Sequence, residues 1–171
     1  MSDTHLVLGG ARSGKSRRAL ALCEGFASPV FLATAEAHDG EMRARIERHR
    51  AERGAHWRLQ EEPLLLCERL LEVATPGGAV LVDCLTLWLS NLMHKELDTD
   101  TAARELCELL PQLPGRIVLV SNELGLGLVP ETALGRAFRD AQGHLNQALA
   151  AVCEHVELVV AGLSLPLRGR R

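Results

Sequence analysis

A chain of 171 residues with 47% hydrophobic and 24% charged side chains has the material for one core, and the whole length, 1–171, is read as a single domain. Aromatic content of 3%, with no Tyr, argues against a protein that stacks single-stranded bases, and a formal net charge of -3 gives no general attraction for polyanions, so nucleic acid is not an expected partner. Cys23, Cys67, Cys84, Cys107 and Cys153 are odd in number, widely spaced and without a C-x-x-C pair, which argues against a disulfide framework or a zinc site.

In chain order, strand-length apolar segments occur at His5–Leu8, Val30–Ala33, Ala79–Val82, Arg116–Val120 and Glu157–Val160. Helices are predicted over Arg17–Phe26, Asp39–Arg53, Pro63–Val73, Leu85–Lys95, Thr101–Leu110 and Glu131–Cys153. This alternation predicts an α/β fold with a mainly parallel sheet flanked by helices, of the P-loop NTPase type. Thr75-Pro-Gly-Gly78 and Pro111-Gln-Leu-Pro-Gly115 each precede a strand and read as tight connections, and Arg168-Gly-Arg-Arg171 reads as a frayed tail. The N-terminus lacks a basic stretch followed by an apolar one. The longest apolar region, Ala79 to Met93, is too short to span a bilayer and carries Asp83, so no membrane span and a cytoplasmic location are expected.

After the first strand comes Gly9-Gly10-Ala11-Arg12-Ser13-Gly14-Lys15-Ser16, a full match to G-x-x-x-x-G-K-[ST] in the strand–loop–helix setting that the motif needs. Gly9 and Gly14 allow backbone angles that turn successive N–H groups inward around phosphate oxygens, with the helix N-terminus adding its dipole. Lys15 is expected to reach the β- and γ-phosphates and Ser16 to ligate Mg²⁺. Asp83, ending a neighbouring apolar strand, is the candidate second ligand; the other reading makes it the N-cap of the helix that begins near Leu85.

The loop alone leaves the class of nucleotide protein open. A GTPase switch would need an N-K-x-D base reader. Ser121-Asn-Glu-Leu124 stands where it would fall, and the only D-x-x-G, Asp140-Ala-Gln-Gly143, comes after it inside a predicted helix, so a small-molecule transferase fits better. In the charged segment from Asp39 to Arg53, with Asp39 as N-cap, Met42, Ile46 and His49 share one helical face. His49 is either a half-buried packing residue or, beside Arg48, Arg50 and Arg53, a phosphorus nucleophile whose neighbouring guanidinium groups stabilise the transferring group.

Several stretches together resemble the bifunctional adenosylcobinamide kinase / adenosylcobinamide-phosphate guanylyltransferase family of cobalamin biosynthesis. They are the phosphate loop, Ala33-Thr34, Glu41-Met-x-x-Arg45-Ile46 leading to His49-Arg50, His56-Trp57-Arg58 with Glu61, the run Val118 to Glu131, and Arg136-x-Phe-Arg-Asp140-x-x-Gly143-x-x-Asn146-Gln147. The resemblance implies two reactions: transfer of a γ-phosphoryl group from ATP or GTP to the aminopropanol hydroxyl of adenosylcobinamide, then transfer of GMP from GTP, through a histidine, to adenosylcobinamide phosphate. The histidine it indicates is His49; some relatives carry two adjacent histidines there, whereas Arg48 precedes His49 here.

The same resemblance implies a nucleotide site made of Gly9 to Ser16, Ala33, Thr34, Ala35, Arg50, Ala51, Glu52, Arg53, Glu61 and Asp83, with Lys15 and His49 catalytic and Ser16 and Asp83 as metal ligands. Glu61 and Asp83 repel phosphate, so Mg²⁺, guanine N–H groups or ribose hydroxyls suit them better; Glu61 also reads as an exposed carboxylate ahead of Pro63. Asn122-Glu123 and Gly125-x-Gly127, past the end of a strand, read as a substrate or phosphate contact or as a turn. For Arg136 to Gln147 a structural reading, as packing or a subunit interface, stands equally beside a functional one. A homo-oligomer, a trimer, is a further implication of the resemblance. The competing readings are a plain small-molecule kinase in which His49 is structural, and a GTP-binding regulatory module.

Overall fold

The computed structural model describes residues 2–35 and 56–169. Among the described residues seven strands form one sheet: β1 (Ser2–Gly9), β2 (Val30–Ala33), β3 (Arg58–Glu61), β4 (Ala79–Asp83), β5 (Gly115–Asn122), β6 (His155–Val160) and β7 (Leu163–Arg168). Five described helices accompany it: α1 (Lys15–Leu22), α2 (Leu66–Val73), α3 (Leu85–His94), α4 (Thr99–Leu109) and α5 (Ala133–Val152), with a short 3₁₀ turn at Leu110–Gln112. The strand order is β3-β2-β4-β5-β1-β6-β7. Every pairing is parallel except β6 with β7. The predicted P-loop type of α/β fold is therefore present, and the helix predicted over Asp39–Arg53 lies outside the described residues.

Alternation along the strands sorts the core into two layers. Leu6, Leu8, Leu32, Val80, Val82, Ile117 and Leu119 turn toward α2 to α5, where Trp88, Leu89, Leu106 and Leu149 meet them. Trp88, 2% exposed, also donates its indole N–H to the Leu64 carbonyl at 2.9 Å, so its polar atom is satisfied while its ring fills the core. Val7, Phe31, Ala33, Leu81, Val118 and Val120 turn the other way and meet Ala19 and Cys23 of α1. Small residues on α1 let that helix lie close to the sheet, which brings its first turn against the strand ends.

Several boundaries differ from the sequence expectation. β3, Arg-Leu-Gln-Glu, has no apolar run to betray it; it pairs only with β2, and its end residues are exposed. β7 includes Pro166, a residue tolerated because this strand lies at the sheet edge. Arg168, expected in a frayed tail, instead closes β7 opposite Val156 and donates to the Ala151 carbonyl at 3.0 Å. α4 starts two residues early because Asp98 caps it, accepting from the N–H groups of Asp100 and Thr101.

Candidate active site

The phosphate loop joins β1 to α1 at the carboxyl edge of the sheet. A Cβ on Gly9 would strike the Ser13 hydroxyl and lie 2.7 Å from the Val159 carbonyl, so only glycine fits there. Gly14 takes φ +95° as the N-cap of α1, with no side-chain cap, and Arg12 takes φ +56°. The loop is held from outside: Gly162 N–H donates to the Ser13 carbonyl at 2.8 Å, and Glu123 N–H to the Gly9 carbonyl at 3.1 Å. Lys15 Nζ reaches back over the loop to the Gly10 carbonyl, 3.0 Å away. The buried Ser13 hydroxyl, packed against Gly9, has no hydrogen-bond partner among the described residues. Ser16 follows in the first turn of α1, half-buried.

Register then aligns the other candidates. Asp83 pairs with Val120 and with Ala33, and Ala33 pairs with Glu61. Paired residues of parallel strands share a face, so Asp83, Ala33 and Glu61 stand in one row on the α1 side. Gly9 pairs with Asn122 on that same face, two residues beyond Val120 and thus about 7 Å nearer the carboxyl edge. The strand carrying Asp83 is not the neighbour of the phosphate-loop strand, as the sequence suggested: β5 lies between them, and its terminal Asn122 stands between Gly9 and the Asp83 strand.

Asp83 does not cap α3. The N-cap is Cys84, with no side-chain cap, so that reading of Asp83 falls. What fixes this turn is Thr34. Its buried hydroxyl donates to the Cys84 carbonyl at 2.6 Å and accepts from Cys84 N–H at 3.0 Å, while its own carbonyl accepts from Asn91 Nδ2 at 2.8 Å. Ala35, the last residue described before the 36–55 segment, follows directly. Burial pushes the Cys84 thiol up to about 11, assisted by the adjacent Asp83 carboxylate and opposed by backbone N–H groups and by Lys15, whose ammonium is therefore within electrostatic reach of this turn.

A second buried set supports β5. Ser121 Oγ donates to Asn146 Oδ1 at 2.6 Å, Gln142 Nε2 donates to Ser121 Oγ at 2.9 Å, and Asn146 Nδ2 donates to the Asn122 carbonyl at 3.0 Å. Thr86 Oγ1 accepts from Asn122 N–H at 2.9 Å. Gln142 and Asn146 thus hold the end of β5, which is the structural reading of that helix. Thr86 and Asn91 carried no motif; their one signal was being polar residues in the otherwise apolar helix Leu-Thr-Leu-Trp-Leu-Ser-Asn-Leu-Met-His.

The structure brings together Gly9, Gly10, Ala11, Arg12, Ser13, Gly14, Lys15 and Ser16 with the ends of β4 and β5, and places Ala33, Thr34, Ala35 and Glu61 farther along the same edge. Thr34 is wholly buried, while Glu61 is exposed at the end of the edge strand β3. His49, Arg50, Ala51, Glu52 and Arg53 lie outside the described residues. No described helix is long and apolar enough to cross a membrane.

Comparison with known proteins agrees with this geometry. Solved structures with the same fold include the P4 protein from bacteriophage phi6 in complex with ADP (TM-score 0.52, 16% identity, 95% of this chain and 52% of that one). Another is an ATPase from the type III secretion system of pathogenic bacteria (TM-score 0.60, 10% identity, 96% and 56%). This chain spans about half the length of those two, and at such identities the likeness concerns fold alone. Much nearer in sequence is the bifunctional adenosylcobalamin biosynthesis protein CobP of Pseudomonas aeruginosa, 53% identical over 169 residues and covering 96% of each chain. The corresponding CobU of Salmonella typhimurium is 40% identical over 183 residues, covering 95% of this chain and 98% of that one. The pattern of the family described as cobinamide kinase / cobinamide phosphate guanyltransferase matches residues 5–167, and the chain belongs to that family of enzymes.

Proposed function

We propose that this chain phosphorylates the aminopropanol hydroxyl of adenosylcobinamide with ATP or GTP, and then attaches GMP from GTP to the resulting phosphate through His49. The observation that carries the reading is the phosphate loop, tied by backbone hydrogen bonds at the same sheet edge as the Asp83 carboxylate, with β5 between them, within a chain that follows this family over residues 5–167. In the first reaction the substrate oxygen attacks the γ-phosphorus, the bond to the β-phosphate oxygen breaks, and the nucleoside diphosphate leaves. Lys15 and the loop N–H groups hold the triphosphate and offset charge on the transferring group.

In the second, an imidazole nitrogen of His49 attacks the α-phosphorus of GTP and pyrophosphate leaves. A phosphate oxygen of adenosylcobinamide phosphate then attacks the same phosphorus, breaking the P–N bond and forming the P–O–P link of adenosylcobinamide-GDP. Arg50 and Arg53 supply positive charge beside His49, while Ala51 and Glu52 complete that stretch. Ala33, Thr34 and Ala35 shape the wall of the nucleotide site, and Glu61 accepts from guanine or ribose.

The donor set also fits Mg²⁺: the Ser16 hydroxyl and the Asp83 carboxylate are half-buried oxygen donors at one edge of the sheet, the chemistry a hard cation takes. When bound, the ion neutralises phosphate charge. The nucleotides and the corrinoid are the partners in this reading. It also takes the enzyme as cytoplasmic and as a homo-oligomer, a trimer.

The test is a mass measurement. Protein given GTP and Mg²⁺ gains one GMP, and the adduct is lost in mild acid and survives alkali, as a phosphorus–nitrogen bond does. His49→Ala removes the adduct and guanylyl transfer while retaining phosphorylation. Labelling that persists in His49→Ala and disappears in His56→Ala would move the nucleophile to His56; no adduct in any form would leave a plain kinase.

A further inference from the structure

At the amino ends of the strands, away from the phosphate loop, three metal-capable side chains converge. Asp3 and His5 stand on one face of β1, and His155 opens β6 directly opposite His5. His5 Nε2 is 2.7 Å from Asp3 Oδ1, and His155 Nε2 is 3.9 Å from that same oxygen. One ligand atom from each residue lies within 4.8 Å of the others, and the two imidazoles are stacked with centroids 4.4 Å apart.

We propose that Asp3, His5 and His155 form a binding site for a zinc-class divalent cation, which ties β1 to β6. Two imidazoles and one carboxylate suit Zn²⁺, Ni²⁺ or Cu²⁺ far better than Mg²⁺ or Ca²⁺. In a tetrahedral site with bonds of about 2.0–2.1 Å the ligand atoms stand about 3.3 Å apart, so the two separations from Asp3 Oδ1 change by about half an ångström, in opposite directions, and an imidazole must tilt out of the near-parallel stack, now 16° between planes, for both in-plane lone pairs to meet the ion. The proton between His5 Nε2 and Asp3 Oδ1 moves to His5 Nδ1, and the cation takes its place; neither imidazole need be charged. A fourth position remains for water.

The surroundings hold Asp3 and His155 with their ligand atoms turned toward each other. Arg116 Nε holds Asp3 Oδ2 at 2.7 Å, which leaves Oδ1 for the histidines. Arg116 is itself fixed by the Leu22 carbonyl at 2.7 Å and by the Phe26 ring. Gly169, at φ +102°, lies against His155: a Cβ there would collide with Nδ1, so the ring sits with Nδ1 toward the chain and Nε2 toward Asp3. Such outer contacts, fixing the orientation of each ligand, are the usual companions of metal-binding histidine and carboxylate. The side chains of Asp3 and His155 are 34% and 37% exposed, which gives the ion a path in. Thiols compete poorly, since burial pushes Cys23 and Cys153 up to about 12. Four residue steps, about 13 Å of strand, separate His5 from Gly9, so the cation and a bound nucleotide act independently.

The experiment titrates the untagged full chain with Zn²⁺ alone, without nucleotide or Mg²⁺, against a chromophoric chelator, and follows the melting temperature in parallel. Wild type is expected to take one tight equivalent and to gain melting temperature. His155→Ala, at a half-exposed position, and the shape-conserving Asp3→Asn are each expected to weaken binding by at least about tenfold and to lose the thermal gain. His56→Ala and His94→Ala are expected to behave as wild type. No tight equivalent in wild type, an equal affinity in His155→Ala, or an equal loss in either control variant overturns the site.

Discussion

Two strand-to-helix turns lie at the same edge of the sheet and are built in opposite ways. The turn from β1 into α1 is glycine-rich and largely exposed, and its helix begins at Gly14 with no side-chain cap. The turn from β4 into α3 is buried and stapled by Thr34, the residue just past β2. In the first, glycine leaves backbone donors open to a polyanion; in the second, Thr34 satisfies the Cys84 backbone directly after Asp83. A site that handles phosphate needs both: a receptive surface and a fixed charge at its border.

Substitutions on each side sharpen this contrast. Lys15→Ala has the largest expected effect, a loss of about 10²–10³-fold or more in both phosphoryl and guanylyl transfer, because one loop holds the triphosphate for both. Separate rate measurements check it, and near-normal speed in either reaction contradicts a shared site. Asp83→Asn is expected to lower Mg²⁺-supported turnover by about 10²-fold, as a lost metal ligand does, while the melting temperature stays close to wild type, since Asp83 caps no helix. A large thermal loss with magnesium dependence unchanged would give it a structural role instead.

Thr34→Val keeps the shape but strips two hydrogen bonds from the buried turn, and is expected to cost about 1–3 kcal/mol in urea unfolding, with Thr34→Ser recovering most of it. Equal stability of the two variants would show that the staple is dispensable. Smallest is the effect of pH on the cysteine beside it. Burial first, then Asp83, raises the Cys84 thiol to about 11 from 9.0, so the folded chain holds a proton that the unfolded chain gives up. Stability from this group is complete below pH 9.0 and declines as pH rises toward 11. In native protein at pH 8 its thiolate fraction is about a hundredfold below that of a free thiol, so alkylation is expected only on unfolding, as peptide mapping can follow.

The first turn was readable from residues 9 to 16 because a local backbone need dictates local residue types. Thr34 was also noted, but its role was hidden: its partner Cys84 lies fifty positions away, and only strand order brings them together. Strand order also explains the misjudged neighbour of β1. Nothing local in β4 or β5 says which of two apolar parallel strands sits beside the loop. β3 escaped for a different reason, since four polar-leaning residues at an edge bury too little to leave a pattern. Gln142 and Asn146 stood within a noticed motif, yet their packing role depends on Ser121, which a helix-by-helix reading cannot supply.

The outermost strand, β7, limits how another chain could add to this edge of the sheet. Leu163, Leu165 and Leu167 are all more than half exposed, and a straight edge with such side chains would serve as a template for another chain's strand. Pro166 removes an N–H from the middle of that six-residue strand, and a register irregularity at Val156/Glu157 bends the ladder at the same place. The sheet thus carries its own stop: open-ended growth by strand addition is blunted, while the leucines remain free to meet another surface by side-chain packing alone.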